Sequence, residues 1–208
     1  MKTIFEHTLK SYGRIAIIGC LVGLVTRLTD FFPNHDIWGF SSIATLFGFW
    51  MITSALIVYC SCSNINAGIN TFLYLFFMSF IFYTSQPILG LYFPLFEGPF
   101  KTNLFILYTV GSFFSGICAF ILYFWNRKNV FSNVLYALPV GLLASETIAL
   151  LLYFLQNSQW LFQLLMDLMG VAVLGILFYK KAANKVIYII SFVLVTLAGY
   201  FFFYALFL

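Results

Sequence analysis

The stretch 131-FSNVLYALPVGLLASETIALLLYFLQNSQWLFQLLMDLMGVAVLGILFYKK-181 decides the fold. It holds two apolar runs, about 131–156 and 159–179, joined by the polar residues Asn157 and Ser158. At about 1.5 Å per residue each run is long enough to cross a hydrocarbon layer of roughly 30 Å. Backbone polar groups have no partner in lipid except one another, so each run is expected to be helical. A transmembrane β-barrel instead shows short segments of alternating apolar and polar residues, and these continuous runs do not alternate.

Outward from this pair, five more runs read as spans, at about 13–31, 38–60, 67–92, 103–126 and 185–207. The expected fold is all-α: a polytopic membrane helical bundle of seven transmembrane helices, forming a single domain over 1–208 with no repeat or linker. Composition agrees. The chain is 63% hydrophobic and 8% charged, with 28 Phe and 13 Tyr, whereas a soluble domain carries roughly 25% charged residues. In the third span Pro87, Gly90 and Pro94 leave an early end or a re-entrant outer part as alternatives to a full crossing.

Orientation follows from the basic residues. With the N-terminus inside, the cytoplasmic segments hold Lys2, Lys10, Arg14, Arg127, Lys128, Lys180, Lys181 and Lys185. The outer side holds Arg27 and Lys101, beside Asp30, Asp36 and Glu97. The positive-inside rule therefore places the N-terminus in the cytoplasm and the C-terminus, Leu208, outside. The expected location is the cell (plasma) membrane, and richness in Phe, Ile, Tyr, Asn and Lys points to a bacterial source. Net charge of +4 reflects this bias and implies no nucleic-acid partner. Ile17-Ile18-Gly19-Cys20 has the look of a lipoprotein cleavage box. Only Ile15 to Ile18 precede it as an apolar stretch, too short for a removable signal, so an uncleaved first span is expected.

Small residues mark where helices approach. Gly19 and Gly23 form G-x-x-x-G in the first span, and Gly111, Ser112, Ser115, Gly116 and Ala119 make a ridge in the fourth. Asn66 and Asn70 stand one turn apart at the start of the third span, where capping and interhelical hydrogen bonds account for them. Trp38 and Trp160 fit an outer aromatic belt. His35 and Asp36 read as a solvated turn.

Three ionisable residues stand out against the apolar background: Arg27, Glu146 and Asp167. Each charge near the centre of a span costs roughly 2.5–3.5 kcal/mol on insertion scales, so such residues face the bundle and have partners. Glu146 and Asp167 both lie roughly 13–17 Å from the short connection between their helices. Two carboxyls thus occur at one depth on antiparallel neighbours. Gln163 shares the Asp167 face, and Gly170 opens space beside it. Gly19, Gly23, Arg27 and Asp30 share another face, which makes Arg27 the expected partner of the acids. One guanidinium leaves one acid unbalanced, to be matched by a proton or by a cationic ligand. Gln86 and Tyr83 are candidate polar neighbours. Ser41, Thr45 and Gly48 line one side of the second span.

Chemistry of other kinds is missing. His7 and His35 are the two histidines, and no H-E-x-x-H, G-x-S-x-G or phosphate-cradling glycine loop occurs. Cys60 and Cys62 form C-x-C with no second ligand pair, and Cys20 and Cys118 lie within apolar runs, so no disulfide framework, metal site or cofactor is expected. No activated nucleophile can be assembled, and no catalytic residue is assigned. The chain reads as a non-enzyme.

From Arg27 through about Gln86, and around Tyr136-Ala137-Leu138-Pro139-Val140-Gly141 and Ser145-Glu146-Thr147, the chain resembles a family of uncharacterised small bacterial multipass membrane proteins. That resemblance implies membrane location and no particular activity. In size and in its outward-facing polar site it is also similar to substrate-binding subunits of vitamin uptake transporters, which have six spans with both termini inside.

Two functions are compatible with these residues. One is binding or translocation of a small solute, ion or lipid headgroup at a site built by Arg27, Glu146 and Asp167, with Gln86, Gln163 and Tyr83 assisting; its partners would be membrane lipid and a small-molecule or cation ligand. The other is an accessory or structural subunit with a membrane protein partner, its buried charges setting helix packing alone.

Overall fold

Small polar side chains start four of the seven α-helices seen in the computed structural model, which describes residues 4–33, 36–127 and 129–204. Helix α1 (Leu9–Leu28) is capped by Thr8, α3 (Asn64–Gly90) by Ser63, α5 (Val130–Asn157) by Asn129 and α7 (Lys185–Gly199) by Asn184. Each cap oxygen accepts a first-turn N–H that would otherwise lack a partner. Helices α2 (Phe47–Cys60), α4 (Thr102–Leu122) and α6 (Leu161–Lys181) have no such side-chain cap of their own.

The second expected span is not one helix. Gly39 takes a left-handed φ of 57° and opens a 3-10 turn, Phe40–Ala44. The Ser42 hydroxyl donates to the Gly39 carbonyl at 2.6 Å, and Thr45 donates to the Ser42 carbonyl at 2.9 Å. Such local bonds compete with a helical ladder. Helix α2 therefore begins only at Phe47 and runs for 14 residues, about 21 Å. The third span, expected at about 67–92, is one helix. α3 continues through Pro87 to Gly90 and neither ends early nor turns back. Hydroxyls of Thr84 and Ser85 bind carbonyls of the preceding turn there, and Pro94–Phe96 forms a separate 3-10 turn.

Contacts sort the chain into two compact units, one of Met1–Phe31 with Leu56–Tyr123 and one of Phe32–Ala55 with Phe124–Leu208. In the first, α1 packs on α3 through glycine. A Cβ on Gly19 would meet the Tyr74 carbonyl oxygen, and one on Gly23 would strike that of Met78. α3 meets α4 where Gly68 and Gly116 face one another. Asn66 and Asn70 are fully buried and bonded to each other at 3.0 Å; Asn70 also donates to Ser61, and Asn66 to the Glu6 carbonyl.

In the second unit α5 packs on both α6 and α7. Gly141 admits Val195, and Gly199 admits Ser145. Trp125, Tyr136 and Phe178 form a buried aromatic cluster, with Trp125 stacked on Tyr136 at 5.3 Å.

Among the described residues, five helical stretches are long and apolar enough to cross a membrane: α3, α4 extended to Asn126, α5, α6, and α7 extended to Phe203. Their exposed faces carry side chains such as Leu107, Phe113, Leu155, Val173 and Leu194. Solvent-facing surfaces of this kind belong in lipid, so this is a multipass helical membrane protein. His35, Lys2, Lys128 and Leu208, used in the sequence reading, lie outside the described residues.

The glycine contacts make a prediction. Gly23→Leu drives carbon into the α3 backbone and should destabilise by about 1–3 kcal/mol or more. Gly111→Leu, where a Cβ meets nothing within 4 Å, should leave thermal unfolding of the detergent-purified protein unchanged.

Candidate functional site

The turn between α5 and α6 carries two residues in the left-handed region, Ser158 at φ 54° and Trp160 at φ 67°, a conformation costly for side chains other than glycine. Surroundings hold them there. Ser158 N–H binds the Phe154 carbonyl at 2.8 Å, and the Trp160 ring stacks on Tyr153 at 4.1 Å. Gly39 is required opposite, since a Cβ there would strike the Trp160 ring. The first amides of α6 are then satisfied from outside the helix: Leu161 N–H donates to the Ile37 carbonyl at 2.9 Å and Phe162 N–H to that of Trp38 at 3.2 Å.

This arrangement lays the 3-10 turn against α6 and brings the start of α2 down beside the acids. Glu146, 1% exposed and near the middle of α5, accepts a hydrogen bond from Phe47 N–H at 2.8 Å. The Gly48 N–H adds a second. Glu146 is thus the cap of α2, supplied from another helix. Asp167, fully buried on α6, lies against Gly48 so closely that any side chain there would collide with its carboxyl. Asp167 and Glu146 interact electrostatically. Gln163, also fully buried, donates from Nε2 to Asp167 Oδ1 at 3.0 Å.

One turn further along α2 the layer is apolar. Gly170 has Ile52 from α2 and Leu143 from α5 pressed against it. The space that Gly170 was expected to open beside Asp167 is therefore filled by carbon, which closes the polar layer on that side.

Three acceptor atoms in this layer have no hydrogen-bond partner among the described residues: Glu146 Oε2, Asp167 Oδ2 and Gln163 Oε1. Leaving a buried polar group unmatched costs about 1–3 kcal/mol, and more when it is charged. All three want a donor or a cation. The described residues hold no group of three or more His, Cys, Asp or Glu side chains suited to a metal ion.

Arg27 belongs to the first unit. It is 7% exposed, and its Nη1 donates to Asp30 Oδ2 at 2.7 Å. Its guanidinium lies over the rings of Phe82 at 4.7 Å and Phe96 at 5.0 Å. Arg27 is the expected partner of Glu146 and Asp167; among the described residues its ion-pair partner is Asp30, one turn along the same face, where the two reach each other without crossing between helices. Tyr83 packs on Phe105 and Tyr108 of α4, and Gln86 is buried on the same helix. Of the predicted residues, then, Glu146, Asp167 and Gln163 come together in the second unit, and Arg27, Tyr83 and Gln86 belong to the first. The Phe47 and Gly48 amides escaped residue-based reading, because a backbone donor is exposed by where a helix starts and not by residue type. The signal was present as Ser41, Ser42, Thr45 and Gly48 inside an apolar run.

Compared with known protein families, with curated proteins and with solved structures, the chain matches none.

Glu146→Gln keeps an acceptor oxygen for the α2 amides and should preserve the fold. Glu146→Leu strands those amides in an apolar interior and should cost about 1–3 kcal/mol. Thermal unfolding of the two variants side by side checks the difference.

Proposed function

We propose that this protein binds a small solute or ion within the membrane, at the polar layer formed by Glu146, Asp167 and Gln163 where its second span is broken. The observation that carries this reading is the set of three buried acceptor oxygens with no donor. A chain so apolar had every opportunity to place Leu at these positions, and intramembrane ionisable groups mark ligand, ion or proton sites by default. A discontinuous helix whose N-terminus points at the layer is a familiar way to build such a site in membrane transporters.

In this reading α1 and the 3-10 turn with α2 complete seven crossings of a plasma membrane. The basic residues put the N-terminus in the cytoplasm and the α5–α6 turn outside. The layer then opens outward, with Ile52 and Leu143 closing it inward. The work done is binding or transfer of the ligand, not covalent chemistry. Arg27 and Asp30 form a self-contained ion pair and take no charge from the ligand.

A second reading is favoured by one contact, the 2.8 Å bond from Phe47 N–H to Glu146. There the acids serve only to end a helix inside the bundle, and the protein is an accessory subunit of a membrane complex. The two readings part at Asp167, which caps nothing. On the packing reading, apolar replacement of Asp167 together with Gln163, whose Nε2 would otherwise lose its partner, keeps the fold and costs no activity.

The binding reading predicts that Asp167→Asn and Glu146→Gln, singly and together, keep the unfolding temperature but lose ligand-induced stabilisation or uptake by tenfold or more, about 1.4 kcal/mol. A panel of inorganic cations, small amines and neutral solutes serves as the probe. Full retention of ligand response in the double variant ends this reading.

A further inference from the structure

We infer that the polar layer takes one monovalent inorganic cation, sodium or potassium, with the proton as its competitor. This rests on the binding reading above and narrows its ligand by charge, hydration and ligand number.

The free atoms are all acceptors: Glu146 Oε2, Asp167 Oδ2 and Gln163 Oε1. Because Gln163 spends its amide N–H on Asp167, the atom it leaves is its oxygen. An anionic ligand meets two carboxylates in this layer, so the ligand is positive. Among the described residues, no basic side chain of the second unit answers for it. Lys180 and Lys181 sit in the last turn of α6, 13 and 14 residues from Asp167, roughly 20 Å along the axis. Lys185 begins α7 and lies over Tyr179, and Arg127 lies over Phe124. From α2, the 3-10 turn and α7, the other elements around the layer, no charged group acts on either acid; the electrostatic partner of Asp167 is Glu146 itself. In the first unit, the Arg27 charge is already met by Asp30.

What remains is the size of the charge. Two carboxylates carry two negative charges, and the N-terminus of α2, bonded to Glu146, offsets about half of one. One proton or one monovalent ion leaves the layer about half a charge negative, and a divalent ion leaves it about half a charge positive, so charge alone does not choose between them. Hydration and ligand number do: magnesium gives up its waters reluctantly and calcium takes about 6–8 oxygen ligands, against the three free oxygens of this buried layer. The helix end favours leaving Glu146 as the anion, so Asp167, paired with an amide alone, is where proton and metal ion exchange: the proton leaves Oδ2 as the ion arrives, and returns as it departs.

The experiment uses the full chain in lipid nanodiscs, with sodium, potassium or choline chloride at constant ionic strength, and reads thermal unfolding. Sodium or potassium should raise the unfolding temperature saturably where choline does not. The half-saturating concentration should rise about tenfold per unit of falling pH in the range where one proton replaces one ion. Asp167→Asn should abolish the response, and Glu146→Gln, which keeps the cap on α2, should weaken it at least tenfold. Identical unfolding in all three salts, joined to stabilisation of the unmodified protein but not Asp167→Asn by methylammonium, overturns the inorganic-ion inference while the binding site stands. Saturation by magnesium or calcium at lower concentration than by sodium also overturns it. If no salt or amine separates the unmodified protein from Asp167→Asn, both the inference and the site reading fall.

Discussion

A helix that starts within an apolar bundle has first-turn amides with no water to bind. In this chain the Phe47 N–H meets that constraint by donating to Glu146, a carboxyl carried in from the middle of α5. Much else in the second unit follows from that one bond. It requires a glycine at the next position, because Asp167 occupies the space a side chain would need. It also requires a segment that can leave helical geometry just before, which Gly39, Ser42 and Thr45 provide through local bonds to carbonyls.

The layer so formed is polar on one level and dry on the next. Gly48, Asp167 and Glu146 meet at the first; Ile52, Gly170 and Leu143 meet at the second. Such a boundary matters physically, since an interaction between charges strengthens as water is excluded. It also makes the unmatched oxygens costly, and that cost is what a bound cation or proton would relieve. The first unit handles its own buried charge differently. Arg27 is neutralised by a neighbour on the same face and flanked by two aromatic rings, although its Nε has no hydrogen-bond partner among the described residues.

Much of this was legible in the sequence, for reasons that can be named. The convergence of Glu146 and Asp167 follows from two runs joined by a short connection and from comparable depths, roughly 13–17 Å, on either side of it. The G-x-x-x-G of α1 and the Asn66–Asn70 pair likewise work as their spacing suggests. The break in the second span was hidden because hydrophobicity averages over a window, and three hydroxyls among Phe, Ile and Leu barely lower it. The Arg27–Asp30 pair, by contrast, is plain in the sequence, as two opposite charges three residues apart on one helix face. α3 carries Pro87 in its interior, and the hydroxyls of Thr84 and Ser85 just before it bind the carbonyls of Phe80 and Phe82.

The central claim is that the α2 N-terminus is held by a carboxyl from another helix, and hydrogen exchange at that N-terminus tests it most directly. A charge-assisted bond contributes roughly 1.5–3 kcal/mol, so the amides around Phe47 and Gly48 should exchange at least about tenfold more slowly in the unmodified protein than in Glu146→Leu, with protection elsewhere in α5 and α6 unchanged. Equal exchange at those amides in both proteins would contradict the account.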